Sequence, residues 1–282
     1  MQERIYVLGI WINVWRSEGG GEPLLFFPGW NGEFTQPEYR DIIPALLNRG
    51  FEVHAIEFPG SGKSDMPPKD WTFEHFILLV DAVFAHYKIE CACLIGHSLG
   101  SAIALRFARY FPHRVKKLIL VSAPIFPISR QIKIPIWMFD KLFWIAAIML
   151  KPAKLLLFGV KPIAKLLHLH VLWPHLHHSR IHRMAQRLDR TYIFLFRSKG
   201  IMRKILRALA EVRTIEDAKF VNAPALLISG EKDFWTPPRN AKLLAKYMND
   251  VTVCIIPNAP HDYEGVWAEQ LAEIATDWLK KK

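Results

Sequence analysis

Six short apolar runs punctuate the chain, at Leu24–Phe27, Phe51–Phe58, Cys91–Ile95, Lys117–Ser122, Ala225–Ser229 and Val251–Ile256, each bounded by glycine or proline. Runs of this length and composition read as strands. Between them apolar residues return every three or four positions, which predicts helices over 37–48, 72–87, 98–110, 238–248 and 263–279. The regular alternation of strand, turn and helix predicts the α/β class: a doubly wound, mostly parallel sheet with helices on both faces.

The pattern changes in the middle of the chain. From Ile125 to Lys219 no strand is evident; apolar and basic stretches of helical period are broken by Pro135, Pro152, Pro162 and Pro174. The expected organisation is a core formed by residues 1–124 and 220–282, with 125–219 inserted as a helical, basic cap. Such a cap would sit at the carboxyl edge of the sheet, where open α/β sheets hold ligands. Charge follows the same division. The net charge is +11, but residues 125–219 alone hold eighteen Lys or Arg against five Asp or Glu, so the remainder is slightly acidic.

Composition narrows the class further. With 51% hydrophobic and 22% charged residues in 282, the chain can bury a large core and is not a disordered sequence. Three cysteines, Cys91, Cys93 and Cys254, match neither a disulfide framework nor a zinc site and point to a reducing compartment. Residues Met1–Val7 carry charge and lead into no apolar stretch with a cleavage site, so the expected location is cytoplasmic. The longest apolar run, Leu142–Leu150, falls well short of the roughly 20 residues a membrane-spanning helix needs.

The chemistry is concentrated at three places. Gly96-His97-Ser98-Leu99-Gly100 has the Gly-x-Ser-x-Gly pattern, set directly between a predicted strand and a predicted helix. A serine there occupies a sharp turn that exposes its hydroxyl, and the flanking glycines allow close packing. Chance supplies about 0.1 such pentapeptides in a chain of this size, so the downstream residues matter. Asp233 follows the strand ending near Ser229, and His261 follows the last strand. Order and position both match a Ser, then Asp, then His set gathered at one sheet edge. Each residue has a plainer alternative. Ser98 can be a helix N-cap, Asp233 a turn former ahead of Pro237 and Pro238 with Glu231 or Asp262 as the acid, and His261 a loop histidine. His97, beside Ser98 on a tight turn, is expected to point elsewhere and act in the core or on the surface.

On these residues the chain resembles the α/β-hydrolase family, in its branch of lipases, esterases and carbon–carbon bond hydrolases with a helical cap. Phe58-Pro59-Gly60-Ser61-Gly62-Lys63-Ser64 is similar to that family's Pro-Gly-x-Gly-x-Ser turn after its fourth strand, and Phe27-Pro28-Gly29-Trp30 to the His-Gly-x turn after its third, with Pro28 in place of the usual histidine. The resemblance implies a nucleophilic Ser98, a base His261, an orienting Asp233, and an oxyanion hole made by the backbone N–H groups of Leu99 and Trp30. It implies no cofactor and no metal.

Other signals have plain readings. Gly62-Lys63-Ser64 echoes a phosphate loop, but Glu57 stands where that motif needs its first glycine, so a turn is expected. Histidines 168, 170, 175, 177, 178 and 182 lack accompanying carboxylates or cysteines and read as a solvated or acid-sensitive face rather than a metal site. The segment's basic residues, interleaved with Trp137, Phe139, Phe143, Trp144, Phe158 and Trp173, leave two readings. One is peripheral association with anionic membrane, the other an apolar face packed on the core with its charges in water. Nucleic-acid binding is not expected, since no recognised module surrounds the charge. The expected substrate is a small-molecule carboxylic ester with a hydrophobic acyl or alkyl part. Thioesters, amides, carbon–carbon bonds and a low-turnover ligand-binding role remain alternatives.

Overall fold

The structure, a computed structural model, describes residues 1–17, 20–29, 37–68, 70–125 and 212–281. Eight strands form one sheet: β1 (Gln2–Val7), β2 (Ile10–Arg16), β3 (Glu22–Phe27), β4 (Phe51–Ile56), β5 (Ala92–His97), β6 (Val115–Val121), β7 (Ala225–Gly230) and β8 (Val251–Ile256). Their spatial order is β1-β2-β4-β3-β5-β6-β7-β8. All neighbours from β4 to β8 are parallel, while β1 with β2 and β2 with β4 are antiparallel. The expected doubly wound, mostly parallel sheet is therefore present.

The central strands lack alternation because helices cover both of their faces; every residue of β5 and of β7 is buried. Helices α1 (Pro37–Leu47), α2 (Phe73–His86), α3 (Leu99–Tyr110), α4 (Thr214–Ala218), α5 (Pro238–Ala245) and α6 (Val266–Lys280) and one 3₁₀ turn (Pro112–Arg114) complete the described elements. Tyr39, Ile42 and Leu46 of α1 and Leu271, Ala272 and Ala275 of α6 form one core with Leu24, Phe26, Val53, Ile95, Ile119 and Ile228 of the strands. On α3, Phe107 stacks on Phe84 of α2 at 5.3 Å between ring centroids.

Two elements depart from expectation. β1 and β2 form a hairpin where the sequence reading placed no strand, closed by Leu8 and Gly9 with φ of 50° and 80°. Paired positive φ at a two-residue loop is the primed turn that matches strand twist. The hairpin buries Ile5, Ile10, Ile12 and Val14. The second departure is α4, which falls inside the expected insertion yet is pinned to α3. Asp217, fully buried, accepts from Arg106 at 2.9 Å and Arg109 at 2.7 Å.

The chain divides into two units, Met1–Gln131 with Ala208–Lys282, and Ile132–Arg207. The boundary thus lies inside the 125–219 suggested by the change of pattern, because 212–219 belongs with the sheet. The helical character of the insertion, its aromatic residues and its histidines lie outside the described residues.

Candidate active site

β5 runs straight into Ser98, whose N–H continues the ladder by donating to the Val121 carbonyl at 2.9 Å. The chain then reverses into α3, and Ser98 takes φ 52° and ψ −116°. A non-glycine residue holds such a backbone only when its surroundings enforce it, and strain of this kind marks reactive sites. The flanking glycines are part of that enforcement. A Cβ on Gly96 would meet the Ser101 N at 2.6 Å, and one on Gly100 would lie 2.7 Å from the Pro28 O, so neither position admits a side chain. Ser101 ties the turn down, its hydroxyl donating to the carbonyls of Gly96 at 2.6 Å and Val121 at 2.8 Å.

The loops after β7 and β8 bring in the other groups. His261 Nε2 lies 3.2 Å from Ser98 Oγ, and His261 Nδ1 lies 2.9 Å from Asp233 Oδ2. Three residues separated by up to 163 positions thus form one hydrogen-bonded line. Gly230 explains how closely the two loops approach, since a Cβ there would sit 2.6 Å from the Pro260 carbonyl oxygen. The Lys232 N–H donates to the Ala259 carbonyl at 2.9 Å and locks them together.

A model of the alpha/beta hydrolase fold matches residues 22–263. The chain belongs to the α/β-hydrolase fold family. Over 106 residues it is 37% identical to the AB hydrolase superfamily protein YisY of Bacillus subtilis, a match covering 37% of this chain and 39% of that one. Over 114 residues it is 32% identical to a probable serine hydrolase of Drosophila melanogaster, covering 38% of this chain and 33% of that one. These matches therefore span about two fifths or less of the relatives' own length. Among solved structures, an esterase from Exiguobacterium antarcticum superposes with a TM-score of 0.76 at 19% identity, covering 100% of both chains. At that identity the likeness is one of fold.

Within this α/β-hydrolase fold the carboxylate is heavily supported. Asp233 Oδ2 also accepts from Ser122 Oγ at 2.7 Å and Thr236 Oγ1 at 2.6 Å, and Oδ1 accepts from the Thr236 N–H at 2.8 Å. Burial alone would raise the Asp233 pKa, but the donors from His261 and Thr236 outweigh it and hold the group at about 2. Thr236 in the turn before Pro237 thus bonds both Asp233 oxygens, and Oδ2 also faces the imidazole. Glu231 lies apart, its carboxylate accepting from the Asn258 N–H at 2.9 Å.

His97 is buried, and its hydrogen-bond partners are Tyr39 and the His261 backbone. Its Nε2 is 3.0 Å from the His261 carbonyl oxygen and its Nδ1 is 3.2 Å from Tyr39 Oη. Burial, then the charge of His261, draws its pKa down to about 4, so the ring is neutral. Leu99 opens α3, whose first N–H groups have no partner within the helix. Trp30, the second expected oxyanion donor, lies outside the described residues. Its neighbour Gly29 is described and comes close: a Cβ on it would lie 3.2 Å from Ser98 Cβ.

Sequence reasoning missed Tyr39, Ser122 and Thr236. Only Thr236 left a local trace, three residues after an aspartate in the spacing of a side-chain-capped turn. The turn Gly60–Ser64 is the plain turn expected. Glu57 fills its centre, accepting from the Lys63 N–H and from Asn13 Nδ2, both at 2.8 Å. Among the described residues no group of His, Cys, Asp and Glu could hold a metal ion, and no helix is long and apolar enough to cross a membrane.

Proposed function

We propose that the protein is a serine hydrolase of carboxylic esters with a hydrophobic acyl or alkyl part. The observation that carries this reading is the unbroken line Asp233–His261–Ser98, at 2.9 and 3.2 Å. His261 takes the Ser98 proton as the oxygen attacks the ester carbonyl, and Asp233 holds the imidazole with its proton on Nδ1 and stabilises the imidazolium. The tetrahedral oxyanion is received by the N–H groups of Leu99 and Trp30, each worth about 3 kcal/mol in comparable sites. Collapse transfers the His261 proton to the leaving alcohol and leaves acyl-Ser98. Water, deprotonated by His261, then releases the acid and restores the serine. Ester and water are the only reactants consumed.

Preference for an apolar substrate is supported by Phe234 and Trp235, which follow Asp233 directly and are 87% and 76% exposed. The aromatic residues of the 125–219 segment support it as well. That segment's basic charge also favours peripheral association with anionic lipid.

A fluorophosphonate probe tests the reaction. The wild type should label and Ser98→Ala should not; an unlabelled wild type would instead favour a binding protein of the same fold. The substrate class is tested with p-nitrophenyl esters, where turnover of octanoate no better than acetate would refute the apolar preference.

A further inference from the structure

Beside the line that ends at Ser98 runs a second one. The Gly29 N–H donates to Tyr39 Oη at 2.7 Å, Tyr39 Oη meets His97 Nδ1 at 3.2 Å, and His97 Nε2 meets the His261 carbonyl oxygen at 3.0 Å. The chemistry fixes each proton. A carbonyl oxygen only accepts, so His97 carries its hydrogen on Nε2. In a neutral imidazole Nδ1 is then bare and accepts from the Tyr39 hydroxyl, whose oxygen receives the Gly29 N–H. Every polar atom of the His97 ring is used, and both side chains are buried, Tyr39 at 2% and His97 at 3% exposure. The line starts in the loop after β3, passes through α1 and the residue preceding Ser98, and ends on the backbone of the base itself.

We propose that Tyr39 and His97 are positioning residues that brace the backbone of His261 against that of Gly29, fixing the imidazole relative to Ser98. This rests on the ester-hydrolase reading above. The brace makes no contact with the reacting atoms. It matters because a base displaced by about 1 Å loses roughly 100-fold in rate. Substrate binding does not depend on it, so kcat should fall while KM stays.

Three variants test this with p-nitrophenyl butyrate and with the fluorophosphonate labelling rate. Tyr39→Phe removes the oxygen that joins both neighbours, and His97→Leu removes both ring nitrogens. His97→Gln keeps an N–H donor able to reach the His261 carbonyl. The brace predicts that Tyr39→Phe and His97→Leu lower kcat 10- to 100-fold with KM within twofold, and that Tyr39→Phe combined with His97→Leu is no slower than the worse single variant. It also predicts that His97→Gln recovers at least fivefold in kcat over His97→Leu, although a buried leucine should give the higher melting temperature. A packing role would rank the two variants in the same order for activity and stability, and that result would overturn the brace. So would labelling rates within twofold of wild type in Tyr39→Phe and His97→Leu, provided the wild type labels and Ser98→Ala does not. A wild type that the probe ignores would overturn the ester reading and the positioning role with it. The 15N shifts of the His97 ring report independently of turnover: a protonated Nε2 is expected, and a bare one would overturn the brace even with the ester reading intact.

Discussion

Asp233 concentrates more hydrogen bonds than any other group at the site, accepting from His261, Thr236 and Ser122 side chains and from one backbone N–H. An amide in its place would turn a donor toward groups that themselves donate, and would favour the wrong imidazole tautomer. Asp233→Asn should therefore lower kcat by roughly 10⁴-fold, measured on p-nitrophenyl butyrate with the folded fraction checked by circular dichroism. The carboxylate also links the site to stability. Its folded pKa of about 2 lies below the ordinary 3.8, so ionised Asp233 stabilises the fold above pH 3.8, and that contribution is lost as pH falls toward 2. In urea titrations the stability difference between wild type and Asp233→Asn should narrow over that range; a gap that widens on acidification would contradict the assignment. Ser98, Asp233 and His261 were legible from sequence because each stands at the carboxyl end of an apolar run, where glycine and proline mark a turn. Tyr39 and Ser122 were not, because their partners lie 58 and 111 positions away and nothing local records such a bond.

At the scale of elements, legibility followed the apolar run rather than burial, since β8 was readable with only Ile256 buried whereas β2, with Ile10, Ile12, Asn13 and Val14 buried, was not. β3 to β8 each contain a predominantly apolar run bounded by glycine or proline, whereas β1 is mostly polar and has only Ile5 buried. The hairpin turn is Leu8-Gly9 rather than the Asn-Gly or Asp-Gly that announces such turns, and so the pair escaped notice. α4 escaped for another reason: five residues carry too little periodicity, and its place is set by an ion cluster. Removing Asp217 would leave Arg106, 5% exposed, without its buried partner. Asp217→Ala should destabilise the fold by roughly 3–5 kcal/mol, read as a fall in the urea midpoint. Gly230→Ala belongs to the same scale. Its Cβ would drive apart the loops that carry Asp233 and His261, so activity should fall at least tenfold while the sheet remains folded. Activity within twofold of wild type would show that the loops can yield.

For the whole molecule, charge and fold are separate variables. The sheet and its flanking helices are built from a slightly acidic set of residues, and the surplus of +13 resides between 125 and 219. Binding to vesicles containing phosphatidylserine should therefore be strong at low salt and should weaken steeply near 0.5 M NaCl, as screening contracts to a few ångströms. Phosphatidylcholine vesicles should sediment little protein; equal binding to both would assign the interaction to apolar contact. The position of β7 and β8 in the chain has a consequence for biosynthesis. The hydroxyl of Ser98 and its elbow emerge from the ribosome long before residues 225–261, which carry the carboxylate and the imidazole. A nascent or truncated chain ending before β7 thus has a serine but nothing to take its proton. On the proposed reading the chemistry is assembled only once residue 261 has been made, and fragments that stop before β7 are inert.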